Sequence, residues 1–409
     1  MDRQLQYTEK TAAGAPLTGL DGGQDAARSI DAIIDAAVER GASDIHLEPA
    51  GDKARVRLRI DGLLHTAAEY GAAGHNAAVA RLKVMSGLDI GERRLPQDGR
   101  MEITVRGRRL DLRISTLPAL GGEKMVLRLL EKKPRLFSPD SLDFSGANLK
   151  LFRSLYSGGG GMVLLTGPTG SGKTTALYAA LSELNREDVN IVAIEDPVEY
   201  RLDGITQVGV SARQGLTFAA GLRAIVRQDP DIIMVGEIRD GETAGLAVHA
   251  AMTGHLVFST MHAGTAAGAI VRLREMGVEP CFAAAALRGA VSQRLVRRVC
   301  AACREWRPAQ PLEKAYLGRH AGEALQLARG RGCPACGHTG YSGRIAVQEV
   351  LAADGGLADL IAAGAGRRAL EAAAAGRGSL YDDGRDKVMR GLTTVGELLR
   401  AGIAGEAGV

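Results

Sequence analysis

Eight consecutive residues, Gly167-Pro168-Thr169-Gly170-Ser171-Gly172-Lys173-Thr174, leave this chain few folds to choose from. Their spacing is that of a phosphate loop, in which glycines let successive backbone N–H groups curl toward phosphate oxygens. Lys173 is placed to reach the β- and γ-phosphates, and the Thr174 hydroxyl to ligate Mg²⁺. Such a loop works between a buried strand and a helix whose positive N-terminal end faces the anion. The apolar run Met162–Leu165 supplies the strand, and a helix is expected from Thr175. This selects an α/β domain that binds a nucleoside triphosphate.

Three more apolar runs follow, Ile191–Ile194, Ile232–Val235 and Leu256–Phe258, and none alternates with polar residues. Strands of that kind are buried on both faces of a mostly parallel sheet. Their C-terminal ends gather along one edge, where ligands bind. Candidate chemistry therefore collects at Gly167–Thr174, Glu195–Glu199, Gly236–Arg239 and Ser259–His262. Glu195, Asp196 and Glu199 offer carboxylates that orient or deprotonate an attacking water. Glu237 is the acid left to act near Mg²⁺, because Gly236 stands where an NTPase strand of this kind usually ends in Asp. His255 and His262 flank the last run and read as a γ-phosphate sensor or a coupling element.

At 409 residues the chain should hold two or three domains. Residues 1–24 show no periodicity and read as a flexible tail. Ile30, Ile33, Ile34, Ala37 and Val38 recur at helical spacing before Gly41, which suits a helix C-cap. Val56, Leu58 and Ile60 alternate with Arg55, Arg57 and Arg59 ahead of the turn Asp61-Gly62. Met101–Arg106 and Arg109–Ser115 alternate likewise. We expect a small α+β domain over 25–131, a linker over 132–149, and the nucleotide-binding domain with C-terminal helices over 150–409.

Cys300/Cys303 and Cys333/Cys336 form two close pairs, with Cys281 left over. Two such pairs complete a tetrahedral thiolate site typical of structural zinc, in an element spanning roughly 300–336, and a redox role is the rival reading. A net charge of +4, without interleaved basic and aromatic residues, argues against a nucleic-acid binder. No apolar run approaches the roughly 18 residues of a membrane span, and the first residues lack the apolar core of a signal peptide. A cytoplasmic protein is expected, one still able to dock on a membrane. By spacing alone Arg113, Arg128, Arg223 and Arg227 read as solvated charge.

Taken in order, these segments resemble the secretion ATPase superfamily of type II secretion and type IV pilus assembly. The likeness runs from Ala42 to Ala401. It includes Ala42-Ser-Asp-Ile-His-Leu-Glu-Pro49, Gly91-Glu-Arg-Arg-Leu-Pro-Gln-Asp-Gly-Arg100, the phosphate loop and Ala193-Ile-Glu-Asp-Pro-Val-Glu-Tyr200. It continues through Arg227-Gln-Asp-Pro230, Val235-Gly-Glu-Ile-Arg-Asp240, the histidines, Gln293-Arg-Leu-Val-Arg-Arg298, the cysteines and Gly340-Tyr-Ser-Gly-Arg344. The resemblance implies a homohexameric ATPase, peripheral on the cytoplasmic face of the inner membrane, working with a platform protein of that membrane and a docking protein on its cytoplasmic face. It implies a RecA-like motor domain with ATP lying between it and the N-terminal domain. Arg113 and Arg128 then reach the γ-phosphate, and Arg223 and Arg227 lie near the nucleotide. Glu199 is the implied catalytic base, and Glu237 the acid acting through Mg²⁺. ATP, Mg²⁺ and Zn²⁺ are the implied cofactors.

The stretch before Ala42 is short, so the extra N-terminal docking domain of assembly members is expected to be missing. Ala263-Gly264-Thr265 stands where relatives often carry Thr-Asn-Thr. The cysteines favour secretion or pilus extension over a pilus-retraction motor. A nucleic-acid translocase is disfavoured by the charge, and a non-catalytic ring component by intact Lys173, Thr174, Glu199 and Glu237.

Overall fold

The computed structural model describes residues 26–131, 138–320 and 322–405. The expected tail over 1–24 and most of the Pro134 side of the linker lie outside them. The chain divides into two compact units, one reaching Pro134 and the other running from Arg135, with the Pro334–His338 turn grouped with the first.

The first unit begins with helix α1 (Ala26–Glu39) and continues through strands β1 (Asp44–Ala50), β2 (Lys53–Ile60) and β3 (Leu63–Gly71). Helix α2 (Ala72–Met85) follows, then β4 (Gln97–Val105), β5 (Arg108–Ala119) and β6 (Gly122–Glu131). The six strands make one antiparallel sheet, in the order β3-β2-β1-β6-β5-β4. Alternation decides its two faces. Ile45, Leu47, Val56, Leu58, Leu112, Ile114 and Leu127 bury one face together with Ile30, Ile33 and Ile34 of α1 and Leu82 of α2. Full burial of each such side chain contributes about 1.5–3 kcal/mol. The other face is charged. Register places Arg59, Asp44, Arg128, Arg113 and Arg100 directly opposite one another on β2, β1, β6, β5 and β4. Periodicity does not reveal α2, because its buried positions include His75 and Lys83 among alanines.

In the second unit α3 (Gly146–Tyr156) leads into β7 (Gly161–Thr166), α4 (Lys173–Leu184), β8 (Ile191–Glu195) and β9 (Thr206–Gly209). Next come α5 (Phe218–Ile225), β10 (Ile232–Val235), α6 (Gly241–Met252), β11 (Leu256–Met261), α7 (Ala266–Glu275), α8 (Pro280–Ala286) and the long β12 (Leu287–Val299). A short hairpin of β13 (Arg304–Pro308) and β14 (Gln326–Gly330) encloses α9 (Pro311–Tyr316) and fills the gap between the cysteine pairs. The chain ends with β15 (Tyr341–Ala352), α10 (Gly355–Ala362), α11 (Arg367–Ala374), α12 (Leu380–Met389) and α13 (Val395–Arg400).

The seven-stranded sheet runs β15-β12-β7-β11-β10-β8-β9. All its pairings are parallel except that of β15 with β12. Every residue of β7, β8, β10 and β11 is buried, as the unbroken apolar runs require. One core lies on the face covered by α5, α6, α7 and α8, and another under α3 and α4. A third cluster joins Val296, Ile345 and Val347 to Val388 of α12 and Leu398 of α13.

Candidate functional site

The phosphate loop leaves β7 at Thr166 and opens α4, which starts at Lys173, two residues earlier than the sequence suggests. Helices α5, α6 and α7 each begin at a side-chain cap, Thr217, Asp240 and Thr265. Helix α4 instead has Gly172 as its N-cap, at φ 87°, with no side-chain cap. Its first-turn N–H groups therefore face outward, available to phosphate oxygens. The loop lies against β12. The amide of Gln293 donates to the Ser171 carbonyl at 2.6 Å. A Cβ on Gly167 would lie 2.4 Å from the Gln293 carbonyl, and one on Gly172 would lie 2.7 Å from its Nε2. A side chain at Gly167 would run into backbone, and one at Gly172 would need a left-handed backbone and displace the Gln293 amide.

Lys173 donates to the carbonyls of Gly167 at 2.8 Å and Pro168 at 3.1 Å, which holds the ammonium over its own loop. Burial lowers its pKa, the charge of Arg294 lowers it further, and Glu237 opposes both. Glu237 follows β10, as expected, and is only 17% exposed. It pairs with Arg239 and stands 3.7 Å from His262 Nε2. Arg239 also lies 3.9 Å from Asp196, so one arginine bridges two sheet-edge acids. Gly236 sits tightly against β8, since a Cβ there would lie 3.1 Å from the Ile194 carbonyl and 3.3 Å from the Glu195 Cα.

The remaining candidates separate. Glu195 is buried, accepts from Tyr178 and from Gln207 at 2.9 Å, and faces these core groups. Burial raises its pKa, and the neighbouring charge of Glu199 adds to the shift. Glu199 is half-buried and Asp196 exposed. His255 is not at the loop. It precedes β11 while His262 follows it, and a six-residue strand separates its two ends by roughly 20 Å. The His255 ring instead meets the Ala250 carbonyl at 2.9 Å, at the end of α6. Arg227 lies at that same far edge, beside Gln228 and Asp229, whose carbonyls accept from Asn190 just before β8. Arg223 is exposed and pairs with Glu242 on α6. The Glu242 that Arg223 meets opens α6, just after the strand-end segment Gly236–Arg239. In the first unit, Arg113 and Arg128 are direct cross-strand neighbours, and Arg128 pairs with Asp44 at 3.1 Å.

The four cysteines converge. Their sulfur atoms all lie within 4.8 Å of one another. Cys300 and Cys333 are 4.0 Å apart, about twice the length of a disulfide bond. Tetrahedral zinc thiolates with bonds of about 2.3 Å place sulfurs about 3.8 Å apart, so the donor set fits such an ion. The Gly332 N–H donates to Cys303 Sγ at 3.3 Å, which steadies a thiolate.

Sequence reasoning assigns no role to Gln293, Arg294, Tyr178 or Gln207. Their partners are distant in sequence, and only the strand pairing brings them together. Arg239 is within reach of such reasoning, as it closes the strand-end run that begins at Gly236.

Residues 20–400 match the family described as type II/IV secretion system protein. The type II secretion system ATPase E of Vibrio cholerae is 46% identical over 372 residues, covering 91% of this chain and 74% of that protein. Among solved structures, the Legionella pneumophila ATPase DotB superposes with a TM-score of 0.66 at 22% identity, covering 91% of this chain and 95% of its own. The pilus retraction motor PilT with bound ADP gives 0.58 at 25% identity, covering 91% and 96%. A match that runs through both units and along the whole sheet edge makes this chain an ATP-hydrolysing member of the type II/IV secretion system protein family.

Proposed function

We propose that this ATPase powers type II protein secretion, or the closely allied assembly of type IV pili, from the cytoplasmic face of the inner membrane. The observation that carries the reading is the glycine-capped phosphate loop with Glu237 bearing on Lys173 at one sheet edge. The identity to the Vibrio cholerae ATPase supports secretion over retraction. Among the described residues no helix is long and apolar enough to cross a membrane. A homohexameric ring, a platform protein and a docking protein are the partners this reading assigns.

ATP binds with its β- and γ-phosphates along the loop N–H groups and Lys173. Thr174 and Glu237 are the residues to hold Mg²⁺, which neutralises charge on the phosphates when bound. Glu199 orients a water whose oxygen attacks the γ-phosphorus. The bond to the β-phosphate oxygen breaks, leaving ADP and inorganic phosphate, and the water's proton passes by way of Glu199. Arg113 and Arg128 stabilise the charge that develops during transfer. The cysteines hold one zinc as a structural element, all four positions being filled by protein.

The test is phosphate release by wild type and Lys173→Ala. Removing the cation that faces the β/γ-phosphates should lower turnover by at least about 10²–10³, to background. Equal rates would overturn the reading.

A further inference from the structure

Strand β12 outruns its neighbour. It pairs with β7 up to Ser292 opposite Thr166, where β7 turns into the phosphate loop, and then continues to Val299. The next two residues therefore lie alongside the loop, on opposite faces of the strand. Gln293 faces inward, bonded to Ser171. Arg294 faces the other way, with Ser292. Its guanidinium donates to the Gly264 carbonyl at 2.8 Å and reaches the Gln293 carbonyl at 3.3 Å, and Ser292 donates to the same Gly264 carbonyl at 3.2 Å. Gly264 lies two residues beyond His262, which stands beside Glu237. One arginine thus spans from the strand under the loop to the turn that carries the Glu237 neighbour.

Its charge is unanswered. Both of these bonds go to neutral carbonyls, and Arg294 forms no ion pair with a described residue. The acid that acts on it is Glu349, which is itself buried and accepts from the Ala266 N–H at 3.2 Å. Glu237 is already shared by Arg239 and His262. Lys173 feels Glu237 as well and has Arg294 as a like-charged neighbour, so the cations beside the loop outnumber the acid they share. A half-buried arginine held only by carbonyls is costly until an anion reaches it. The loop N–H groups and Lys173 are enough for a β-phosphate, so the group that distinguishes ATP from ADP is what meets the surplus cation.

We propose that Arg294 is a γ-phosphate ligand supplied in cis, by which the chain distinguishes ATP from ADP and draws the Gly264 turn, with His262, toward the bound triphosphate. This deepens the ATPase reading and rests on it. It is independent of Arg113 and Arg128, which lie in the first unit.

The experiment uses the full chain with Arg294→Ala, Arg294→Gln and Arg294→Lys, the glutamine retaining an N–H donor for Gly264 while losing the charge. Affinities are measured for ADP and for a non-hydrolysable ATP analogue, both with Mg²⁺, and melting is recorded without nucleotide. A charge-assisted bond of this kind predicts a loss of about ten- to a hundredfold for the analogue in the alanine and glutamine variants, with ADP affinity changed less than about threefold. Lysine should recover most of the loss. If both nucleotides weaken alike, or neither does, Arg294 is only a staple on Gly264 and the proposal fails. It fails equally if all three variants melt at a lower temperature while the ADP-to-analogue ratio stays unchanged. Lys173→Ala separates the two levels. If that variant hydrolyses ATP like wild type, the ATPase reading is what fails. If it is inactive while the Arg294 variants discriminate normally, only this inference does.

Discussion

The two sheets handle a buried carboxylate in opposite ways. In the antiparallel sheet Glu48 is 5% exposed. Burial works against its charge, but hydrogen bonds from Arg57, Lys124 and Arg55 prevail and hold it at about 2. In the mostly parallel sheet Glu195 is 3% exposed, and burial prevails over the bonds from Tyr178 and Gln207, so its pKa rises. The reason is architectural. A sheet with helices on one side leaves a whole face on which cations can line up, as Arg59, Arg128, Arg113 and Arg100 do. A sheet covered on both sides has no such face, and its charged chemistry is confined to the strand ends. Charge in the first unit is therefore face-borne, and in the second edge-borne.

The largest expected effect tests the face. If Arg113 and Arg128 stabilise charge developing in phosphoryl transfer, each alanine variant should lower kcat by about 10³ or more, the scale of an arginine finger, with little change in ADP affinity. Arg57→Ala, on the same face but bonded to Glu48, should have a small effect. Steady-state ATPase and ADP titration on all three proteins decide it, and equal behaviour would make the whole face mere surface charge.

Metal loss tests a cluster away from that edge, since Cys300 follows the far end of β12. Protein purified without added zinc should contain about one zinc per chain, and chelation should lower the melting temperature by at least about 5 °C. Activity per folded molecule should persist. Metal-free protein with a disulfide between these cysteines would favour the redox reading instead.

The smallest effect contrasts the two ends of one strand. His262→Ala should slow turnover about tenfold, the equivalent of 1.4 kcal/mol in the barrier, whereas His255→Ala should stay within about twofold of wild type. Phosphate release at saturating ATP measures both. Equal losses would remove the distinction between the strand's two ends.

Local sequence reveals what local sequence determines. The loop glycines, Lys173 and four unbroken apolar runs are legible because backbone curl and two-sided burial each require particular residue types at consecutive positions. The cysteine pairs are legible for the same reason. The histidines are read together as flanks of one run, although the gathering of C-terminal strand ends at one edge already favours His262 over His255. Position at the strand end alone does not rank Glu195 and Glu199, which only the family resemblance separates, since the inward turn of Glu195 depends on Tyr178 in α4 and Gln207 in β9. The adjacency of Arg113 and Arg128 needs the register of β5 on β6, and the role of Gln293 needs β12 to lie beside β7.

Gly236 has a consequence for how such a site can change. The acid sits one position later than in the commoner strand-end pattern, and the strand-end position itself is crowded by the backbone of β8. An acid moved to that position by Gly236→Asp would press its Cβ on the Ile194 carbonyl and the Glu195 backbone, which must give by a few tenths of an ångström to admit it. The place open to a carboxylate, and the neighbours Arg239 and His262 that it meets there, are thus set by how closely β8 lies beside β10.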